Sequence, residues 1–134
     1  MQYAITRSHP DFVVVGEGRT LTNEMCEVAH RCIASGAGLI STSADTWCPT
    51  DEGPRPGRGA IVALLEAASG TKAYHVGKPY PFMMRAARKR MGLATDEITM
   101  IGDTIGTDIG GANDVGFRSI ESIAQLLPLA AVTV

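Results

Sequence analysis

The 134-residue sequence contains few aromatic residues, few cysteines and no marked excess of charge of either sign. Aromatic residues make up 5% of the chain, and 12 basic residues against 14 acidic ones give a formal net charge of -2. A nucleic-acid-binding domain needs basic residues that neutralise phosphates, and aromatic rings on which unpaired bases stack. We therefore expect no nucleic-acid partner.

The sequence also lacks the patterns of a secreted or membrane protein. Cys26, Cys32 and Cys48 are odd in number and form no CxxC pair, so they indicate neither a disulfide framework nor a zinc site. No apolar run approaches the roughly 20 residues that span a bilayer, and the N-terminus has no apolar stretch typical of a signal peptide. We expect no membrane partner and a cytoplasmic location.

What the sequence does contain is an alternation of strand-like and helix-like segments. Hydrophobic residues make up 45% of the chain and charged residues 19%, which suits one compact domain. Strands are predicted at 11–16, 38–41, 72–76, 97–101 and 117–120, and helices at 21–35, 59–69, 81–91 and 107–114. This alternation is typical of parallel βαβ units and predicts an α/β fold. A long loop rich in proline and glycine is predicted at 42–58.

Two carboxylates follow the predicted strand at 97–101 and suggest a metal site. Open α/β sheets bind ligands at the carboxyl ends of their strands, and Asp103 and Asp108 straddle the turn from this strand into the next helix. Carboxylate oxygens suit Mg²⁺, which takes one or two of them together with water and phosphate oxygens. The alternative is that Asp103 or Asp108 caps the helix that follows.

A lysine follows the preceding predicted strand, at 72–76. Lys78 lies between Gly77 and Pro79, where its ammonium group can neutralise a phosphate or a carboxylate. The alternative is a solvated surface lysine. Because the two strands are successive, Lys78 and Asp103 side by side would make a phosphate site.

Two other familiar arrangements are weak or absent. Gly16 and Gly18 follow the first predicted strand, but Leu21 stands where a dinucleotide-binding GxGxxG motif has its third glycine. We interpret the two glycines as a turn. No GxSxG motif is present and the three histidines lie in unrelated contexts, so a hydrolase with a serine nucleophile is disfavoured.

Four consecutive segments resemble the haloacid dehalogenase (HAD) superfamily, subclass IIA, the NagD and 4-nitrophenylphosphatase-like phosphatases. They read DFVVVGEGRTLTNEM, LISTSADT, HVGKPYPFMMRAARKRMG and ITMIGDTIGTDIGGANDVG. The resemblance covers about residues 11–120, and a GKP motif followed by GDxxxTDI at this spacing is more specific than either motif alone.

The resemblance implies a HAD-like architecture: a partial Rossmannoid parallel sheet with an α/β cap domain. The implied divisions are an N-terminal extension at 1–10, most of the cap at 11–69, the C-terminal half of the core at 70–120 and a divergent apolar tail at 121–134.

The resemblance also implies roles for individual residues. Asp103 matches the Mg²⁺-binding aspartate, and Asp108 matches the second acidic residue of the same motif. Lys78 matches the lysine that balances charge between the nucleophile and the phosphate. Thr42, Ser43 and Asp45 belong to the substrate-facing loop at 42–46, where the family usually carries Thr-Asn-Pro-Asp and this chain has Thr-Ser-Ala-Asp.

By the same resemblance, we expect a Mg²⁺-dependent phosphatase that hydrolyses small phosphorylated metabolites through an aspartyl-phosphate. The family places its nucleophile in an hhhDxDGT motif, and this motif is absent from the 134 residues. We therefore expect the chain alone to be inactive, with an open strand edge that a second copy or a complementing polypeptide covers. The alternative is a non-catalytic remnant that binds Mg²⁺, phosphate or another protein.

Overall fold

The computed structural model describes residues 8–122 and divides the chain into two compact units between Val76 and Gly77. The length alone predicts one domain, and the resemblance places a boundary at 69/70. The strand that follows 69/70 pairs into the sheet of the first unit, and the domain boundaries that the resemblance implies stay a prediction. Most of the predicted extension at 1–10 and of the predicted tail at 121–134 falls outside the described residues.

The first unit is built on a three-stranded parallel sheet with the strand order β1-β2-β5. The strands are β1 (Phe12–Val15), β2 (Gly38–Ser41) and β5 (Tyr74–His75). Two 12-residue helices, α1 (Asn23–Ala34) and α2 (Arg58–Ser69), connect them. These parallel strands joined by helices confirm the predicted α/β class.

The core of the first unit lies between its sheet and its helices. Ile33 of α1, Leu39 of β2, and Val62 and Leu65 of α2 are buried together. Helix α1 begins where the sequence predicts, because the Thr22 hydroxyl accepts a hydrogen bond from a backbone N–H of the first turn at 3.2 Å.

The predicted loop at 42–58 contains one short regular element. Strands β3 (Trp47–Cys48) and β4 (Arg55–Pro56) form a two-residue antiparallel pair, in which Trp47 lies opposite Pro56. A strand of two residues is too short to show an alternation of apolar and polar residues, and proline is unusual in a strand. The prediction of an unbroken loop is therefore wrong for these residues.

Between residues 77 and 122, the second unit contains a two-stranded parallel sheet and two α-helices. Strand β6 (Thr99–Ile101) pairs with β7 (Arg118–Ile120), and the helices are α3 (Phe82–Met91) and α4 (Gly110–Asp114). The core of this unit consists of four buried residues: Met84, Ile98, Ala112 and Phe117.

The turns at the two ends of β6 differ from the sequence prediction. Residues Thr95–Glu97 form a 3-10 turn in which the Glu97 carboxylate accepts a hydrogen bond from the Ala94 N–H at 2.8 Å, so Glu97 does not start the strand. After β6, a π-helical turn at Ile105–Ile109 precedes α4. π-Helical turns occur often at functional sites, so this one directs attention to its residues.

Between residues 8 and 122, none of the helices is both long and apolar enough to cross a membrane.

Candidate active site

The end of β6 is shaped by a glycine that lets a carboxylate fold back against the strand. The backbone N–H of Gly102 continues the pairing with β7 by donating to the Ile120 carbonyl at 3.1 Å. A Cβ atom at Gly102 would overlap the Asp108 side chain. Only glycine therefore leaves room for Asp108 at this position.

Asp108 is a buried carboxylate whose two oxygens are both engaged. Its side chain is 5% exposed. Oδ2 accepts a hydrogen bond from the Thr104 N–H at 3.3 Å, and Oδ1 forms an ion pair with Lys78 Nζ. A buried charge is tolerated when it is paired and hydrogen-bonded, and both conditions hold here.

Lys78 is held at this carboxylate by the packing of its own loop. A Cβ atom at Gly111 of α4 would lie 2.7 Å from the Pro79 carbonyl oxygen, so the helix packs directly on the segment that carries Lys78. The Lys78 side chain is 49% exposed. An ammonium group has three N–H donors, so Lys78 retains donors for a ligand after it binds Asp108.

Asp103 is the exposed carboxylate of this site. It follows Gly102 directly, and its Oδ1 accepts a hydrogen bond from the Thr104 hydroxyl at 3.2 Å. Lys78 pairs with Asp108, and its placement side by side with Asp103 stays a prediction. The second unit thus brings together a lysine, a buried aspartate and a neighbouring exposed aspartate.

The helix-capping alternative for the two aspartates is only partly met. Asp108 Oδ2 accepts a hydrogen bond from the backbone N–H of Thr104, the residue that precedes the π-helical turn. Asp108 itself lies inside this turn and not before it. No side chain caps the start of this turn or of α4. Capping therefore accounts for one oxygen of Asp108 and for none of the Lys78 contact.

The donor set at the end of β6 fits Mg²⁺ in part. Asp103 is exposed, and a single carboxylate together with water and phosphate oxygens is an ordinary Mg²⁺ environment. Asp108 has no oxygen without a partner in this arrangement. Within the described part of the chain, acidic, histidine and cysteine side chains form no group of three that could hold a metal ion.

The predicted substrate-facing loop lies in the first unit, after β2, and is closely hydrogen-bonded. The Thr42 hydroxyl donates to the Val15 carbonyl at 3.1 Å. The Ser43 hydroxyl donates to Asp45 Oδ2 at 2.7 Å and accepts from the Asp45 N–H at 3.2 Å. The Ser41 hydroxyl, fully buried, donates to the Ser43 carbonyl at 2.6 Å. The structure therefore places Thr42, Ser43 and Asp45 in one hydrogen-bonded segment, in which Ser43 and Asp45 contact each other directly.

Two glycines at the start of α2 fix this loop to the helix. The Gly57 N–H donates to the Thr46 carbonyl at 2.8 Å, and the Gly59 N–H donates to the Asp45 carbonyl at 2.7 Å. A Cβ atom at either glycine would overlap the backbone of residues 44–45. Sequence reasoning missed Gly57, Gly59, Gly102 and Gly111 as site-forming residues, although each lies at the end of a strand or in the first turn of a helix.

Comparison with known proteins gives consistent results. Residues 75–121 match the HAD-hydrolase-like family model. The chain is 36% identical, over 88% of its length, to a dihydroxyacetone phosphatase of Corynebacterium glutamicum and covers 43% of that protein. It is 38% identical, also over 88% of its length, to the ribonucleotide monophosphatase NagD of Escherichia coli and covers 46% of it.

Solved structures agree with this result. The E. coli NagD structure matches with a TM-score of 0.82 and 35% identity, covering 97% of this chain and 51% of that one. A glycerol phosphate phosphatase of Mycobacterium tuberculosis, solved in complex with calcium, matches with a TM-score of 0.78 and 34% identity, covering 84% of this chain and 33% of that one.

These similarities, together with the lysine and the two aspartates at the end of β6, place the chain in the haloacid dehalogenase superfamily. Within it, the chain belongs to the NagD-like group, subclass IIA, as the sequence predicts. The chain spans about half the length, or less, of the relatives that it matches.

Proposed function

We propose that the chain supplies the phosphate- and metal-binding part of a Mg²⁺-dependent phosphatase that acts on phosphate monoesters of small metabolites. One observation carries the proposal: Lys78 is held on the buried carboxylate of Asp108, and Thr104 joins Asp108 to the exposed Asp103 through its N–H and its hydroxyl. The similarity to relatives that are phosphatases supports it. Because the chain spans only part of their length, the activity is proposed for the complete enzyme.

The lysine suits the stabilisation of charge on a phosphoryl group. Asp108 holds Nζ in place before a ligand arrives, so little reorganisation is needed when negative charge develops on the phosphoryl oxygens. Half of the Lys78 side chain is exposed, so its remaining donors can reach a ligand. Lys78 would thus donate to the phosphate while Asp108 fixes its position.

Asp103 is the residue that we assign to Mg²⁺. The ion, when bound, would neutralise and orient phosphate oxygens. In the described arrangement Asp108 acts first through Lys78, since both of its oxygens already have partners. Its part as a direct metal ligand stays a prediction.

The nucleophile has to come from a segment that the 134 residues do not contain. The DxDGT sequence of the enzymes that the chain resembles is absent from them. We assign the aspartate that would form the aspartyl-phosphate to such a segment, whether it belongs to the same polypeptide, to a second copy or to a complementing polypeptide. Thr42, Ser43 and Asp45 are proposed to contact the substrate, since a hydroxyl and a carboxylate can bind polar groups of a metabolite. A cytoplasmic location stays a prediction.

Complementation tests this function directly. The 134-residue chain is mixed with the N-terminal half of E. coli NagD, and hydrolysis of p-nitrophenyl phosphate is measured with and without Mg²⁺. We expect no turnover from either part alone and Mg²⁺-dependent turnover from the mixture. Asp103→Asn and Lys78→Ala should each abolish the turnover. The matched control is Asp96→Asn, which removes an exposed carboxylate of the same unit and should leave turnover unchanged.

The absence of DxDGT also supports a second candidate, a non-catalytic remnant that binds Mg²⁺, phosphate or another protein. An inactive mixture, together with Mg²⁺-dependent phosphate binding that Asp103→Asn removes, would favour this remnant. Loss of both turnover and phosphate binding would contradict the phosphatase and the phosphate-binding form of the remnant.

A further inference from the structure

Two arginines of the first unit share a single carboxylate. Arg55 Nη2 lies 2.9 Å from Glu17 Oε1, and Arg58 Nη1 forms an ion pair with Glu17 Oε2. The three side chains therefore carry one net positive charge. Paired arginines are the usual means by which proteins bind carboxylates and phosphates, because each guanidinium presents parallel N–H donors.

The donors of Arg58 are incompletely used. Its Nε atom is buried and has no hydrogen-bond acceptor among residues 8–122. A buried donor without an acceptor is destabilising. Glu17 pairs with Arg58 Nη1 through Oε2 and with Arg55 through Oε1, whereas a free anion can bind Nε and Nη of one guanidinium together.

Glu17 is the member of the cluster that is least fixed by its surroundings. Its side chain is 55% exposed, against 33% for Arg55 and 24% for Arg58. It lies between Gly16 and Gly18, and a Cβ atom at either glycine would meet no atom within 4 Å. The space beside both glycines is therefore open, and an ion pair is weakened where one partner is exposed to solvent.

The backbone that carries the two arginines, in contrast, is fixed by hydrogen bonds to neighbouring segments. Arg58 stands between Gly57 and Gly59, whose N–H groups bind the carbonyls of Thr46 and Asp45. Arg55 lies in the β3–β4 pair. The backbone at both arginines is thus held by contacts that remain when Glu17 moves away.

We propose that Arg55 and Arg58 form an anion-binding site in which Glu17 is an internal ligand, and that an external carboxylate or phosphate group displaces it. The ligand class is a small molecule that carries one of these groups. All residues of the site lie in the first unit, so the proposal is independent of the function assigned to Lys78 and the two aspartates of the second unit.

The test is a titration of the ¹⁵N-labelled 134-residue chain at constant ionic strength, with inorganic phosphate in one series and succinate in another. The Nε–H resonances of the arginines report binding. We expect a saturable shift of the Arg58 resonance, and the series in which it occurs identifies the group. Glu17→Gln keeps the shape of the side chain and removes the internal anion, so it should tighten binding about fivefold.

Arg58→Gln should abolish the effect at Arg55, and Arg55→Gln should weaken the shift at Arg58. Arg31→Gln is the matched control, because Arg31 pairs with Glu27 on α1 and its loss removes the same charge from the same unit. The backbone spectrum of each variant shows whether it is folded. Absence of a saturable shift with both anions, or a Glu17→Gln variant that binds no more tightly than the parent chain, would overturn the proposal.

Discussion

The site at the end of β6 and the loop after β2 hold their polar groups by different physical means. In the second unit, an ion pair between Lys78 and the buried Asp108 fixes the site. In the first unit, hydroxyl groups and backbone N–H groups hold the loop, and only one carboxylate, that of Asp45, takes part. Charge therefore organises one region, and neutral hydrogen bonds with close backbone contacts organise the other.

The difference matters for what each region can do. A preformed charge suits the binding of a doubly charged phosphate group, since the electrostatic cost is met during folding. A loop of hydroxyl and backbone contacts suits discrimination between neutral polar groups, which depends on position more than on charge. The substitutions below change one of these arrangements at a time, from the largest expected effect to the smallest.

Gly102→Ala should have the largest effect. The added Cβ would overlap the Asp108 side chain and force it from the end of β6, so we expect a loss of about 3 kcal/mol or more in the free energy of unfolding. Urea unfolding measures it. The control is Gly106→Ala, since a Cβ there would meet no atom within 4 Å. Equal stability of the two variants would contradict the close contact at Gly102.

Lys78→Met should have the next largest effect. The substitution leaves the buried Asp108 carboxylate without its cation, so we expect the free energy of unfolding to fall by about 2 kcal/mol. This is less than the full cost of an unpaired buried charge, because Lys78 is half exposed. Adding Asp108→Asn removes the unpaired charge, so the double variant should recover part of the stability in urea unfolding. A double variant no more stable than the single one would show that the charge pair is not what organises the site.

Ser43→Ala tests the loop of the first unit. It removes both hydrogen bonds between the Ser43 hydroxyl and Asp45, with an expected loss of about 1 kcal/mol in the free energy of unfolding. Ser35→Ala is the control, because the Ser35 hydroxyl bonds only a carbonyl at the exposed end of α1. If Ser43→Ala and Ser35→Ala lower the free energy of unfolding equally, the hydrogen bonds between Ser43 and Asp45 do not stabilise the loop.

Glu66→Gln should have the smallest effect and should depend on pH. The hydrogen bond from the Ala73 N–H, at 2.8 Å, and the neighbouring Lys72 lower the pKa of Glu66, outweighing the opposing effect of burial. A carboxyl with a lowered pKa stabilises the folded state above its unfolded pKa of about 4.3, and this stability is lost as pH falls through the folded value.

The parent chain should therefore be more stable than Glu66→Gln at neutral pH, and the difference should shrink as pH falls below about 4. Thermal unfolding from pH 7 to pH 3 measures it. Glu52→Gln, which removes an exposed carboxylate in a turn of the same unit, provides the reference for the loss of one negative charge. A difference that grows on acidification would reverse the predicted sign.

Much of the fold was predictable because it depends on local pattern. The β-branched run at Phe12–Val15, the Thr22 cap and the segment Gly38–Ser41 each act through neighbours a few residues away, and all three occur as predicted. The β3–β4 pair was not predictable, since two residues per strand give no period and the pairing is supported by contacts with α2.

The sequence by itself determined the α/β class, the order of the elements and the identity of the polar residues after β2, β5 and β6. The tertiary structure decided which of these residues meet. Lys78 binds Asp108, thirty positions along the chain, because Gly102 and Gly111 permit close approaches that turn Asp108 inward and bring α4 onto Pro79. Such approaches depend on the absence of a Cβ atom between distant segments, which no local periodicity encodes.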